Sequence, residues 1–144
     1  PEVQGQPNPV VQRWRDLLLA EHHALRTLEA CGVQAARSRI VDHEEQRFLE
    51  VARFDRVGMS GRRALFSLAS LEAEFIGDAS APWPMLAARL AQMKLITSQA
   101  AADAALLYAF GALIGNTDMH HGNLSFTADD GFPCALAPAY DMLP

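Results

Sequence analysis

The most informative stretch of this sequence is Gly115-Asn116-Thr117-Asp118-Met119-His120-His121-Gly122-Asn123. It is a polar cluster that directly follows the most apolar segment of the chain. Residues 99–114 are apolar nearly all round a helical wheel and predict a buried core helix, capped by Thr97 or Ser98. Loops that start from rigid buried helices commonly hold catalytic groups. A second acid, Asp141, follows Asn123 by eighteen residues, with a short predicted hairpin (124–126 and 134–137) between them.

The order of Asp118, Asn123 and Asp141 matches what phosphoryl transfer requires. Such a reaction needs an acid that orients or receives the proton of the attacking hydroxyl, and oxygen ligands for Mg²⁺ ions that neutralise the phosphates. Protein kinases place a metal-binding Asn five positions after the catalytic Asp, and a metal-binding Asp after a short hairpin. Asp118 and Asn123 stand five positions apart. We therefore expect the three side chains to converge on one metal–phosphate cluster.

Other interpretations of the same loop stay open. It could be a polar turn in which Asn116, Asp118 and Asn123 only cap the backbone. It could belong to a metal-dependent phosphoesterase, which needs two metals about 3.5–4 Å apart and further ligands. His120 and His121 are adjacent and lack a third soft ligand nearby, which favours a loop-fixing role for His120 over zinc binding.

A third interpretation is non-catalytic: a pseudokinase or helical module that binds a partner through its surface. Trp83, between Pro82 and Pro84, would anchor the contact if it is exposed, although a buried Trp83 is equally compatible with the sequence. The three residues also predict a break between a helix at 68–75, ended by Gly77, and a helix at 85–93.

The N-terminal part predicts one helix over residues 10–31, closed by Gly32. Its apolar stripe consists of Trp14, Leu17, Leu18, Leu25 and Leu28. Glu21 falls in the middle of that stripe, where a carboxylate is costly unless it is paired. Either Glu21 reaches water, or it is held for a buried cationic partner; the adjacent His22 and His23 should be solvated.

A hairpin follows the helix, with strands at 37–41 and 46–54 and a turn at 42–45. Arg53-Phe54-Asp55-Arg56 ends the second strand, and Gly58 and Gly61 predict a loose basic loop. Together with the helices beyond it, this hairpin predicts an α+β fold that is mostly helical.

Composition narrows the function classes. The 144 residues are 50% hydrophobic and 20% charged, which is typical of one globular domain or part of one. A net charge of −5 disfavours direct nucleic-acid binding, and no apolar run reaches the roughly 20 residues that span a membrane. Cys31 and Cys134 are interpreted as two buried thiols in a reducing cytoplasm, which predicts a cytoplasmic location.

Three motifs resemble the HipA family, bacterial serine/threonine kinases that act as toxins in type II toxin–antitoxin pairs. The family pattern Gly-Asn-x-Asp-x-His-x-x-Asn is matched from Gly115 to Asn123, and Pro-x-Tyr-Asp is matched from Pro138 to Asp141. Arg-Phe-Asp-Arg is matched by residues 53–56. The resemblance covers residues 18–144.

The resemblance implies a protein-kinase-like fold, with ATP and Mg²⁺ as cofactors and a protein Ser or Thr as acceptor. By position, Asp118 is the catalytic acid with His120 beside it in the catalytic loop, and Asn123 and Asp141 are the metal ligands. Arg53 and Phe54 match the adenine-side hinge, although Ala52 stands where some relatives have Glu. Glu21 matches the acidic position of the N-lobe helix, which in kinases pairs with a nucleotide-binding lysine.

The resemblance also implies that residues 1–144 form part of one HipA-like domain, with 1–57 from the N-lobe and 58–144 from the helical C-lobe. No Gly-rich loop precedes Glu21, and the single lysine, Lys94, is far along the chain. We therefore expect the loop and the lysine to precede residue 1 of a longer protein, and residues 1–144 alone to be inactive. The expected partners are a translation-linked protein substrate and a DNA-binding antitoxin.

Overall fold

The computed structural model, which describes residues 8–44 and 46–144, combines helices with short antiparallel strands. This mixture agrees with the predicted α+β class. The elements are α1 (Pro9–Ala30), β1 (Ser38–His43), β2 (Gln46–Val51), β3 (Arg56–Val57), β4 (Gly61–Arg62), β5 (Leu65–Ser67), α2 (Leu68–Phe75), α3 (Trp83–Gln92), α4 (Ser98–Ile114), a 3₁₀ turn (His121–Asn123), β6 (Ser125–Thr127) and β7 (Ala135–Leu136). None of the helices in the described residues is long and apolar enough to cross a membrane.

Helix α1 begins and ends close to the predicted residues. Asn8 caps it, since its Oδ1 accepts a hydrogen bond from the Val10 backbone N–H at 3.0 Å. Leu25 and Leu28 are buried as predicted, but Trp14 is 62% exposed, so the apolar stripe reaches the core only in its C-terminal half. His23 is exposed, whereas His22 is half-buried and its Nδ1 lies 2.9 Å from Ser38 Oγ.

The β1–β2 hairpin packs against α1 and is tighter than predicted. His43 pairs directly with Gln46, so the strands extend into the predicted turn; Glu45 of that turn lies outside the described residues. The Asp42 carboxylate accepts two hydrogen bonds from Arg47, at 2.8 and 2.9 Å, which hold this end of the hairpin together. The second strand ends at Val51 rather than at residue 54.

The predicted loose loop is a second hairpin. Strands β3 and β4 pair in antiparallel register, Arg56 with Arg62 and Val57 with Gly61. A Cβ atom at Gly61 would collide with the carbonyl oxygen of Val57, and Gly58 has a φ of 60°, so the turn depends on both glycines. Strands of two residues leave no periodic pattern, which explains why the sequence interpretation was wrong here.

The helical part largely follows the prediction. Helix α2 has the predicted bounds, and Thr97 caps α4 through a 3.0 Å hydrogen bond from the Ala100 N–H. Helix α3 begins at Trp83 instead of residue 85, because a proline is compatible with the first turn of a helix. Trp83 itself is 1% exposed, so it is not the surface anchor that the non-catalytic interpretation needs.

Helix α4 is a core helix on one side only. Ala104, Leu107 and Gly111 are buried, whereas Leu106 is 50% and Leu113 is 83% exposed. The prediction that the whole helix is buried is therefore wrong, because apolar composition does not specify which faces have neighbours. Cys31 is likewise exposed, while Cys134 is buried.

The polar loop lies beside a three-stranded antiparallel sheet in the order β5–β6–β7. The predicted hairpin forms its β6 and β7 strands, and β5, which the sequence interpretation missed, pairs with β6 from the other side. Phe126 of β6 is fully buried in the same core as Leu68, Leu86 and Leu107. The sheet thus fixes both ends of the segment that separates Asn123 from Asp141.

Candidate active site

Asn116 ties the two halves of the site together. Gly115 ends α4 in the left-handed conformation (φ 80°) and turns the chain, so Asn116 is buried directly behind the helix. Its Oδ1 accepts a hydrogen bond from the Asp118 N–H at 2.9 Å, and its Nδ2 donates to the Asp141 carbonyl oxygen at 3.3 Å. The bond to the Asp118 N–H is the backbone cap that the polar-turn interpretation expected of Asn116, whereas the bond to Asp141 was not predicted.

Asp118 and Asn123 are joined by one hydrogen bond across the loop. Asn123 Nδ2 donates to the Asp118 carbonyl oxygen at 2.9 Å, and the Asn123 side chain is buried. That bond uses the amide nitrogen, so the Oδ1 oxygen of Asn123 is the atom left for another partner. The Asp118 residue is exposed, and its carboxylate forms no hydrogen bond or ion pair with any other described residue.

The two histidines of the loop have structural contacts. His120 Nδ1 accepts a hydrogen bond from the Gly122 N–H at 3.0 Å and caps the 3₁₀ turn, which agrees with the loop-fixing role expected for it. His121 Nε2 lies 2.9 Å from the Ala81 carbonyl oxygen. Within the described residues, no three His, Cys, Asp or Glu side chains are grouped so that they could hold a metal ion.

Asp141 is held in an uncommon backbone conformation. Its φ is 52°, a region that non-glycine residues rarely occupy and that is often found at functional sites. The neighbouring segment is fixed on the other side, because Ala139 exchanges backbone hydrogen bonds with the connection after α1: its carbonyl accepts from Ala36 at 2.8 Å and its N–H donates to Gln34 at 2.9 Å.

Tyr140 fastens Asp141 to the polar loop. Its hydroxyl donates to the Gly122 carbonyl oxygen at 2.8 Å and lies 2.6 Å from Ser125 Oγ. Burial raises the pKa of the Tyr140 phenol, the Ser125 hydrogen bond opposes that shift, and the Asp141 charge adds to it. The phenol therefore stays protonated and keeps donating. Sequence analysis missed this contact, although Tyr140 belongs to the quoted motif.

A cavity of about 320 Å³ opens beside Asp141. It brings together four of the residues predicted for the nucleotide site, Glu21, Arg53, Phe54 and Asp141; Asp118, His120 and Asn123 do not line it. Ala52, which the family motif placed at the hinge, also lines the cavity. Three further apolar residues of the wall were not predicted: Leu25, Val51 and Leu65.

Glu21 and Asp141 place two carboxylates at this cavity. Burial raises the pKa of Glu21, and the negative charge of Asp141 raises it further. Glu21 is half-buried and forms no ion pair within the described residues. The cavity thus has an excess of negative charge at this point, the condition under which a cation would bind.

The two predicted hinge residues, Arg53 and Phe54, differ in whether their side chains are free to contact a ligand. The Arg53 guanidinium is bound by both carboxylate oxygens of Asp55, at 2.7 and 2.6 Å, so it is already paired. The centroids of the Phe54 and Tyr140 rings lie 5.8 Å apart, and Phe54 gives the cavity an aromatic wall. Phe54 thus supplies an aromatic side chain to the cavity, while the Arg53 guanidinium is paired with Asp55.

Comparison with known proteins places this site in a family. The HipA-like C-terminal domain profile matches residues 6–144. The chain is 44% identical over 140 residues to toxin YjjJ of Escherichia coli K12. The aligned stretch covers 96% of this chain and 31% of the relative. The chain therefore spans about a third of that relative's length.

Two solved structures share the fold at low sequence identity. A chain from the Shewanella oneidensis MR-1 complex of HipA, HipB and operator DNA superposes with a TM-score of 0.71 at 21% identity, over 90% of this chain and 35% of that one. The Helicobacter pylori proinflammatory kinase CtkA gives a TM-score of 0.63 at 14% identity, over 87% of this chain and 46% of that one. From the profile match over nearly its whole length, this chain belongs to the HipA-like C-terminal domain family.

Proposed function

We propose that the full-length protein is a HipA-type toxin kinase that transfers the γ-phosphate of ATP, with Mg²⁺, to a Ser or Thr hydroxyl of another protein. The carrying observation is the hydrogen-bonded chain from Asn123 through Asp118 and Asn116 to Asp141, which ends at a cavity of nucleotide-binding size. Family membership and the two kinase-related neighbours support the same activity.

The cavity suits the base of a nucleotide. Its volume of about 320 Å³ lies within the range of roughly 300–1,000 Å³ typical of ligand pockets. Phe54, Leu25 and Val51 supply apolar walls, which is the environment that a planar purine requires. The Ala52 N–H already donates to the Arg37 carbonyl oxygen at 2.8 Å, so a purine edge would bind to other backbone groups of Ala52 and Arg53.

The acidic end of the cavity suits a metal-loaded phosphate. Asp141 lines the cavity with its carboxylate, and Asn123, which lies outside the cavity lining, offers its remaining Oδ1 from the hydrogen-bonded polar loop. Mg²⁺ prefers hard oxygen ligands of this kind. The ion would neutralise phosphate charge and would remove the electrostatic cost between Glu21 and Asp141. The left-handed φ of Asp141 fits a functional position, because such strain persists only where surrounding contacts enforce it.

Asp118 is the proposed group that receives or orients the proton of the attacking hydroxyl. Its residue is exposed, so a second protein can reach the carboxylate, while two hydrogen bonds to its backbone fix its position. His120 supports the loop through its contact with Gly122. Lys94 is exposed beyond the end of α3 and does not line the cavity, so Glu21 has no lysine partner within the described residues.

The proposed cellular role is that of a toxin restrained by a protein partner. The Shewanella neighbour was solved with HipB and operator DNA, which supports an antitoxin partner that binds DNA. A translation-linked protein in the cytoplasm remains the proposed substrate. Trp83, the anchor proposed for the non-catalytic module, is buried, which speaks against that alternative.

Calorimetric titration of ATP with Mg²⁺ into the full-length protein tests the nucleotide site. Asp141→Asn should abolish the metal dependence of binding, whereas Asp130→Asn, an exposed residue in the β6–β7 connection, should leave it unchanged. Asp118→Asn should bind nucleotide normally but transfer phosphate about 10²–10⁴-fold more slowly. Metal-independent binding, or transfer unaffected by Asp118→Asn, would contradict the proposal.

A further inference from the structure

The β3–β4 hairpin places two arginines directly opposite each other. Arg56 and Arg62 are a register pair of this antiparallel ladder, so their side chains extend from the same face. Opposed residues have Cβ atoms about 4.5–5.5 Å apart, and like charges at that position destabilise a hairpin. A two-stranded hairpin of this length has little other stabilisation, which makes the pair unexpected on structural grounds alone.

Neighbouring acids neutralise the pair only in part. Asp55 forms a 3.7 Å ion pair with Arg56 Nε, but both of its carboxylate oxygens are already bound by Arg53. The Arg62 side chain forms no ion pair or hydrogen bond with any described residue. Positive charge is therefore concentrated on this hairpin, although the chain as a whole has a net charge of −5.

The hairpin stands at the rim of the nucleotide cavity. Asp55, immediately before it, and Leu65, shortly after it, both line the cavity. The Arg63 N–H donates to the Asp55 carbonyl oxygen at 2.9 Å and closes the base of the hairpin. A ligand held by Arg56 and Arg62 would therefore lie next to the adenine side of the proposed ATP site.

The exposed tip adds an apolar component. Val57 is 53% exposed and Met59 is fully exposed. Arginine forks bind carboxylates in planar, two-point geometry, and exposed Met side chains adapt to varied apolar partners. This combination suits a peptide segment that carries acidic residues next to an apolar one.

We propose that the β3–β4 hairpin is a docking element for an acidic segment of the protein substrate, with a carboxylate bridging Arg56 and Arg62. The assignment of the segment to the phosphorylated protein rests on the proposed kinase function. The anion-binding property of the arginine pair does not rest on that function, since it follows from the register and from the lack of an acidic partner for Arg62 within the described residues.

Fluorescence anisotropy with two labelled peptides tests the proposal on the full-length protein. One peptide carries a serine followed by three glutamates and a leucine, and the other has glutamines in place of the glutamates. The glutamate peptide should bind more tightly, and Arg56→Gln/Arg62→Gln should weaken it about tenfold. Arg13→Gln, which removes an exposed arginine of α1, is the matched control and should change nothing.

Two further measurements separate the possible failures. The double variant should unfold at the same or a higher temperature than the wild type, because it relieves a like-charge contact, and should bind ATP with Mg²⁺ normally. If the wild type binds the glutamate peptide through the arginines but binds no ATP, only the kinase function fails. Equal binding of both peptides, unchanged binding by the double variant, or tighter arginine-dependent binding of duplex DNA would overturn the docking proposal.

Discussion

The Met119 side chain occupies the space that a Cβ atom on Gly111 would need, so the loop that carries Asp118 and His120 rests directly on the buried face of α4. Gly111 is buried in the last turns of that helix. A glycine there disfavours the helix by about 1 kcal/mol relative to alanine, but it allows the close approach of the loop. The pair thus couples the core to the candidate active site.

Gly111→Ala should therefore disturb the loop more than the helix. The added methyl group forces Met119 outwards and displaces Asp118, so phosphoryl transfer should fall by at least tenfold, since small displacements of catalytic groups are costly. Gly111→Ala/Met119→Ala should recover most of that activity and gain stability from the alanine in the helix. Equal activities of the single and double variants, with Met119→Ala alone as control, would show that the contact does not matter.

Glu21→Gln should stabilise the metal-free protein at neutral pH. The folded pKa of Glu21 lies above its ordinary value of 4.5. The stability that protonated Glu21 contributes is therefore fully present below pH 4.5 and is lost as the pH rises through the folded pKa. The gain should be on the order of 1 kcal/mol or less, because the side chain is partly hydrated.

Thermal unfolding in EDTA between pH 4 and pH 8 measures this effect. The wild type and Glu21→Gln should converge at the acidic end and separate towards pH 8. Glu74→Gln, an exposed residue of α2, should give no such separation. A constant difference across the pH range would contradict the assigned pKa direction.

Asn116→Ala should weaken the connection between the polar loop and Asp141. The substitution removes two hydrogen bonds of a buried side chain and should cost about 1–3 kcal/mol of unfolding free energy. It should also weaken binding of ATP with Mg²⁺, because Asp141 loses its support.

Asn8→Ala is a useful comparison, since it removes the cap of α1 and costs about 1 kcal/mol far from the site. Asn8→Ala should leave nucleotide binding intact. If both variants lose nucleotide affinity in proportion to their stability, the proposed positioning role of Asn116 is wrong.

The two tryptophans should respond very differently to truncation. Trp83→Ala creates a cavity in the core between α3 and α4 and should cost about 3–5 kcal/mol, whereas Trp14→Ala at an exposed position should change stability by at most about 0.5 kcal/mol. Urea unfolding of both variants measures the difference.

Trp83→Phe should be far milder than Trp83→Ala. The Trp83 Nε1–H is buried without a hydrogen-bond partner among the described residues, so phenylalanine removes an unsatisfied donor along with some volume. A cost near that of alanine would indicate that the indole N–H has a partner in the folded protein.

The sequence alone predicted the elements whose signals are local. Helix α2 has its predicted bounds, α1 and α4 lie within about one residue of theirs, and Thr97 was one of the two predicted caps of α4. The signals of these helices are capping residues, helix-ending glycines and a 3.6-residue periodicity. Each signal involves residues that are only a few positions apart in the sequence. The polar loop and Asp141 were also predicted to act together, from spacing and the family motif, although their roles remain proposals.

Only the tertiary structure decided which of these residues meet. Glu21 and Asp141 share a cavity, Asn116 and Tyr140 hold Asp141 to the polar loop, and Arg56 opposes Arg62 across a hairpin too short to leave a periodic pattern. Burial of Trp83 and exposure of Leu113 were settled in the same way. Such contacts depend on how elements pack over long sequence separations, and composition or periodicity within one element carries no information about its neighbours.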